Sequence, residues 1–116
     1  MSRPKVVCLV GSTRFKTQFE AVARAATLAG EIVLTCHVFS HHDGTRLSAA
    51  DVALLDRVHL AKIDMADEVY VINPGGYIGE GGRREIAYAE AAGKPVGYLC
   101  TDQQQALGQA LKEGRG

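Results

Sequence analysis

The sequence predicts a small doubly wound α/β domain: a parallel sheet of about four to five strands flanked by helices. Two observations carry that expectation. Short β-branched apolar runs alternate with longer helix-like segments, the pattern that yields parallel strands joined by crossover helices. Glycine-rich loops follow the first and third of these runs, and in such sheets ligands bind beyond the carboxyl ends of the strands, where the strand order reverses.

The strand-like runs are KVVCLV (5–10), EIVLTC (31–36), EVYVIN (68–73) and PVGYLC (95–100). Between the first two, Phe15, Phe19, Val22, Ala26 and Leu28 recur at roughly helical spacing, and Gly30 stands where a helix should stop. The second helix, in SAADVALLDRVHLAKIDMAD, opens on Ser48 as an N-cap with Asp51 three residues on, close to a capping box. A third helix is expected from about Gly82 to Ala92, ended by Gly93 with Pro95 just beyond, and a fourth, polar one from about Asp102 to Lys112. Internal repeats and low-complexity segments are absent from the sequence.

A chain of 116 residues with 47% hydrophobic content suits one domain with a packed core and is too small for a separate substrate domain. The 13 basic residues balance 13 acidic ones, so composition offers no single-sign field for nucleic acid or an acidic membrane, and a small molecule becomes the expected partner. No apolar stretch approaches a membrane span, and the N-terminus enters a strand-like run without a signal-peptide core, which reads as cytoplasmic. Cys8, Cys36 and Cys100 lie in or at the end of apolar runs; their odd number and unpaired spacing argue against disulfides or a metal site and make them core thiols. No cofactor is called for.

Three loops follow the strands. Gly11-Ser12-Thr13-Arg14 stands after strand one at a helix start, where free N–H groups, two hydroxyls and a bidentate arginine suit a phosphate; an ordinary glycine turn with a Ser or Thr N-cap reads equally well. CHVFSHHDGTRLS (36–48) contains His37, His41, His42 and Asp43 without the spacing of a preformed zinc site, and is better read as a loop over the mouth of a site, with His37 or Phe39 against a ring. In the third, Asn73, Pro74, Gly75 and Gly76 turn the chain off strand three, with Asn73 also expected to meet the ligand. Gly79, Gly81 and Gly82 then clear space for a ligand against the backbone, and Glu85 opens the third helix. A first-turn glutamate is commonly a dipole partner, but this one faces the same crevice as Gly11 to Arg14, and the helix end would hold it ionised, as a nucleophile or a stabiliser of positive charge should be.

Gly-x-x-x-Glu-Ile-x-Tyr-Ala-x-x-x-Gly-Lys-Pro-Val, Gly81 to Val96, together with Gly-Ser-x-Arg after strand one and MADEVYVIN on strand three, resembles the nucleoside 2-deoxyribosyltransferase and nucleotide N-glycosidase superfamily. The resemblance runs from Val6 to about Leu99. It implies that Glu85 attacks the anomeric carbon of a sugar, that Gly11, Ser12 and Arg14 contact a 5′-phosphate, and that the protein is a homodimer or larger with a neighbouring subunit helping to close the site. Where the family has an aspartate on the second helix this chain has His59; Asp56, one turn earlier, lies on roughly the same face. His59 is an acid replacing it or a packed core residue. Arg83 and Arg84 add a phosphate grip or face solvent, and Tyr77 and Tyr88 stack on a base or pack in the core.

The expectation is therefore a flavodoxin-like or Rossmann-like domain that cleaves or exchanges the N-glycosidic bond of a nucleoside or nucleoside 5′-monophosphate through Glu85. The alternatives are a non-catalytic nucleotide-sensing module of the same architecture and a flavodoxin-like reductase.

Overall fold

The computed structural model describes residues 3–101, in which four strands, β1 (Val6–Gly11), β2 (Ile32–Leu34), β3 (Glu68–Ile72) and β4 (Val96–Tyr98), form one sheet in the order β2-β1-β3-β4. Every pairing is parallel. β1 meets β2 from Val6↔Ile32 to Cys8↔Leu34 and β3 from Val7↔Glu68 to Gly11↔Ile72; β3 meets β4 from Val69↔Val96 to Val71↔Tyr98. The chain leaves β1 for one edge and crosses back over it to β3, so the order reverses between β1 and β3 and a crevice opens at their carboxyl ends.

Period-two geometry sends alternate β1 side chains to opposite faces, and both are covered. Val6, Cys8 and Val10 pack with Val69 and Val71 under Ile63 of α3 (Ala49–Met65) and Ile86 and Ala89 of α4 (Glu80–Ala91). Val7, Leu9 and Ile72 pack under Phe19 of α1 (Lys16–Leu28) and Phe39, just before the short α2 (Ser40–Asp43). Each fully buried aliphatic side chain contributes about 1.5–3 kcal/mol, which explains why the strands are apolar on both sides. Ser48 caps α3 as expected, its Oγ accepting from the Asp51 N–H at 3.0 Å. Asp67, in the MADEVYVIN stretch, accepts both arms of Arg3 at 2.7 and 2.8 Å and the Val6 N–H at 2.8 Å, tying the start of β1 to that of β3. These bonds, the one from Arg3 foremost, hold its carboxyl down at about 2.

Several boundaries differ from the sequence reading. β2 and β4 are edge strands that pair on one side for three residues only, so Cys36 and Cys100 lie past the sheet instead of in it. α4 begins at Glu80, because Gly79 is extended (φ −78°, ψ 175°) and its carbonyl accepts the Arg83 N–H at 3.0 Å. The helix expected over 102–112 lies outside the described residues.

Asn73 was expected to meet a ligand and instead holds the core together. It is fully buried, its Nδ2 donating to Cys100 O at 2.9 Å and its Oδ1 accepting the Cys100 N–H at 2.8 Å, which extends the β3–β4 connection past the last ladder pair. Asn73→Ala leaves both Cys100 backbone groups unpaired and should cost about 2–3 kcal/mol, read as a lower urea midpoint.

Candidate functional site

A cleft of about 430 Å³ opens at the carboxyl edge of the sheet, bounded by the β1–α1 turn, the segment after β2, the outer half of α3 and the start of α4. Its floor is set by two glycines. Gly11 has φ +145°, and a Cβ there would stand 2.6 Å from Ile72 O; a Cβ on Gly82 would stand 3.2 Å from Ile78 Cγ2 and 3.8 Å from Gly11 Cα. Backbone of β1, β3 and α4 therefore meets without side chains between, as the sequence reading anticipated for a ligand but here for the protein's own packing.

The Gly11–Arg14 turn does not cap a helix. α1 starts at Lys16 with Phe15 at its N-cap position and no side-chain cap, so the hydroxyls of Ser12 and Thr13 are used otherwise. Ser12 Oγ accepts from Arg14 Nε at 2.9 Å and from the Arg14 N–H at 3.3 Å. Thr13 Oγ1 lies 2.6 Å from His41 Nδ1 and accepts the His41 N–H at 3.3 Å, which joins α2 to the turn. The Arg14 guanidinium sits 4.6 Å from the centroid of the Tyr77 ring, a cation–π distance.

Glu85 faces the same cleft from α4, half-buried. Because the helix starts at Glu80, Glu85 stands in its second turn, too far in for the helix end to hold it ionised. Burial first, and then the negative charge of Asp56, push its carboxyl up to about 7, while Arg84 pulls it down. The expectation of a firmly ionised glutamate is thus corrected: near neutral pH the group is poised between its two forms. Asp56 stands on α3 with Arg84 Nη2 at 4.0 Å, and both line the cleft.

His59 also reaches the cleft wall, but it is buried and its Nε2–H donates to Leu9 O at 3.1 Å. Burial, then Lys62, lowers its pKa despite that bond, so the ring is a neutral donor already committed to the backbone. That arrangement matches the packed, hydrogen-bonded alternative.

Of the remaining candidates, Gly79, Gly81 and His37 line the cleft, whereas Arg83 points to solvent and the neighbouring Arg84 takes its place. Phe39 is 7% exposed and packs edge-on against Phe19 at 5.5 Å, anchoring the loop from behind the cleft lining. Cys36 lines the cleft, its thiol pushed up to about 11 by burial, and only Cys8 is fully in the core, pushed up to about 12 for the same reason. Among the described residues no three His, Cys, Asp or Glu side chains are grouped to hold a metal ion. Nor is any helix of the described residues long and apolar enough to cross a membrane. His41, in the loop expected over the mouth, lines the cleft, and so does Lys62, which the sequence reading does not single out. Lys62 had a signal, since Leu55, His59 and Lys62 follow the i, i+4, i+7 spacing of one helical face; its Nζ donates to Thr35 O at 2.6 Å.

Fold and site define an α/β domain with an arginine-bearing glycine turn and a protonation-poised carboxyl in one cleft. In comparisons with known proteins, neither a family model nor a curated protein matches this chain.

The raised pKa of Glu85 has a consequence for stability. From its ordinary 4.5 to about 7 the folded chain keeps a proton that the unfolded chain has lost, so stability is fully present below about 4.5 and falls as pH rises through about 7. Glu85→Gln lacks that loss. Urea denaturation should find the variant close to wild type at pH 4 and more stable at pH 8 by up to about 3 kcal/mol.

Proposed function

We propose that this protein cleaves or transfers the N-glycosidic bond of a nucleoside or nucleoside 5′-monophosphate through Glu85, as a member of the nucleoside 2-deoxyribosyltransferase and nucleotide N-glycosidase superfamily. The observation that carries the reading is the placement in one cleft of an arginine on a hydroxyl-bearing glycine turn and a half-buried glutamate. A nucleotide needs both ends: a phosphate receptor, and a carboxylate beneath the sugar.

In this reading the C1′–N bond breaks with its electron pair leaving on the base, and a Glu85 oxygen bonds to C1′. The departing base takes a proton from solvent, since Asp56 acts on Glu85 through its negative charge and His59 is spent on Leu9 O. Water, or a second base, then attacks C1′, gives up a proton to solvent and frees the Glu85 carboxylate, as in retaining glycosidases. Positive charge developing on the sugar meets a carboxyl that burial and Asp56 disfavour as an anion, so the interaction grows most at the transition state. A cytoplasmic location and a homodimer or larger assembly go with this proposal.

The second reading, a nucleotide-sensing module that does not turn its ligand over, draws on one observation: the position where the superfamily has an aspartate holds a histidine already engaged by the backbone. Chromatography of ribo- and deoxyribonucleosides, their 5′-monophosphates and NAD after incubation separates the two. The enzyme should release free base from one substrate class, and Glu85→Ala should lower the rate by a factor of 10³ or more, on the order of the loss of a covalent nucleophile. Binding without release from any of them would leave the sensing module.

If Glu85 acts as the nucleophile, kcat/KM should rise with pH through about 7 as the carboxyl ionises. Asp56→Asn removes a charge that raises this pKa, so the acid limb should move to lower pH even if the rate also falls. A limb that stays in place would dissociate it from Glu85.

A further inference from the structure

Arg14 is held in place by neutral groups. Ser12 Oγ accepts from its Nε, the Tyr77 ring lies under its guanidinium, and among the described residues no carboxylate is within ion-pairing distance of it. Arg3, Lys5, Lys16 and Arg84 each have an acidic partner. An arginine fixed by a hydroxyl and an aromatic face keeps its charge for an incoming anion, and part of the ordering cost of its long side chain is met before the anion arrives. Tyr77 is braced in turn. Its ring meets Phe15 edge-on at 5.8 Å, and its hydroxyl lies 3.5 Å from where a Cβ on Gly79 would stand. It belongs to the β3–α4 loop, while Arg14 and Phe15 belong to the β1–α1 turn, so the contact spans the point where the strand order reverses.

From this geometry we infer that Tyr77 is a positioning residue that makes the cleft selective for phosphate monoesters, holding Arg14 over the cleft in the orientation that grips a phosphate. The inference rests on the reading of Gly11–Arg14 as a phosphate turn, and it narrows the substrate class to nucleoside 5′-monophosphates over free nucleosides. Tyr77 need not touch the ligand to do this. Phenylalanine keeps the ring face and should serve; an aliphatic side chain cannot.

The test is calorimetric titration of wild type, Tyr77→Phe, Tyr77→Leu, Arg14→Ala and the Arg14→Ala/Tyr77→Leu double variant with inorganic phosphate, a panel of nucleoside 5′-monophosphates and the matching nucleosides. Tyr77→Leu should weaken phosphate and monophosphate binding about two- to fivefold, the worth of one exposed cation–π contact, and leave nucleoside binding unchanged. Tyr77→Phe should bind as wild type does, and Tyr77→Leu should cost nothing further once Arg14 is gone. Equal weakening toward nucleosides, or the same loss in the Arg14→Ala background, would show that Tyr77 acts on the cleft at large and overturn the inference while leaving the phosphate turn standing. Wild type binding neither phosphate nor any monophosphate would overturn both, and base release by Glu85 is scored separately by chromatography.

Discussion

Everything in the cleft depends on backbone lying against backbone where β1 ends. Gly11 is the last ladder partner of Ile72; its φ is +145°, and a Cβ there would stand 2.6 Å from Ile72 O, so no side chain fits. On its other side the first turn of α4 approaches closely, a Cβ on Gly82 standing 3.8 Å from Gly11 Cα. These two hydrogen-for-side-chain positions let the β1–α1 turn and α4 share one crevice, so that Arg14 and Glu85 line the same cleft.

The electrostatic character of the crevice follows from how its charges are held. Arg14 is fixed by a hydroxyl and an aromatic ring, and its charge is left whole. Glu85 is in the opposite position, strained as an anion by burial and by Asp56, so its carboxyl is pushed up to about 7. Neither group satisfies the other. A site that keeps a cation unneutralised and an anion disfavoured suits the proposed reaction, in which a negative group meets the first and positive charge develops beside the second.

The polar residues around them mainly serve the backbone. β2 stops pairing with β1 at Cys8↔Leu34, and His59 supplies the donor for the next carbonyl, Leu9 O. Lys62 does the same for Thr35 O just past β2, and Asn73 for both backbone groups of Cys100 just past β4. Short edge strands leave carbonyls and N–H groups exposed to a desolvated interior, and buried backbone groups without partners are costly. Side chains that look chemically interesting in the sequence are drawn into that work, which is why His59 and Asn73 read as site residues and stand in the structure as supports.

The sequence by itself determined the four parallel strands, the Ser48 cap, the glycine turn after β1 and the convergence of Arg14 and Glu85 on one edge, because apolar runs, caps and glycines are local signals with one structural meaning each. Only the tertiary structure decided where edge strands stop, that Glu85 sits in the second turn of its helix beside Asp56, that Arg84 and not Arg83 faces the cleft, and that His59 donates to the backbone. Those outcomes turn on burial, on one-residue shifts in helix phase and on which carbonyl lacks a partner. Each is a relation between distant segments, set by packing, and no stretch of sequence carries it alone.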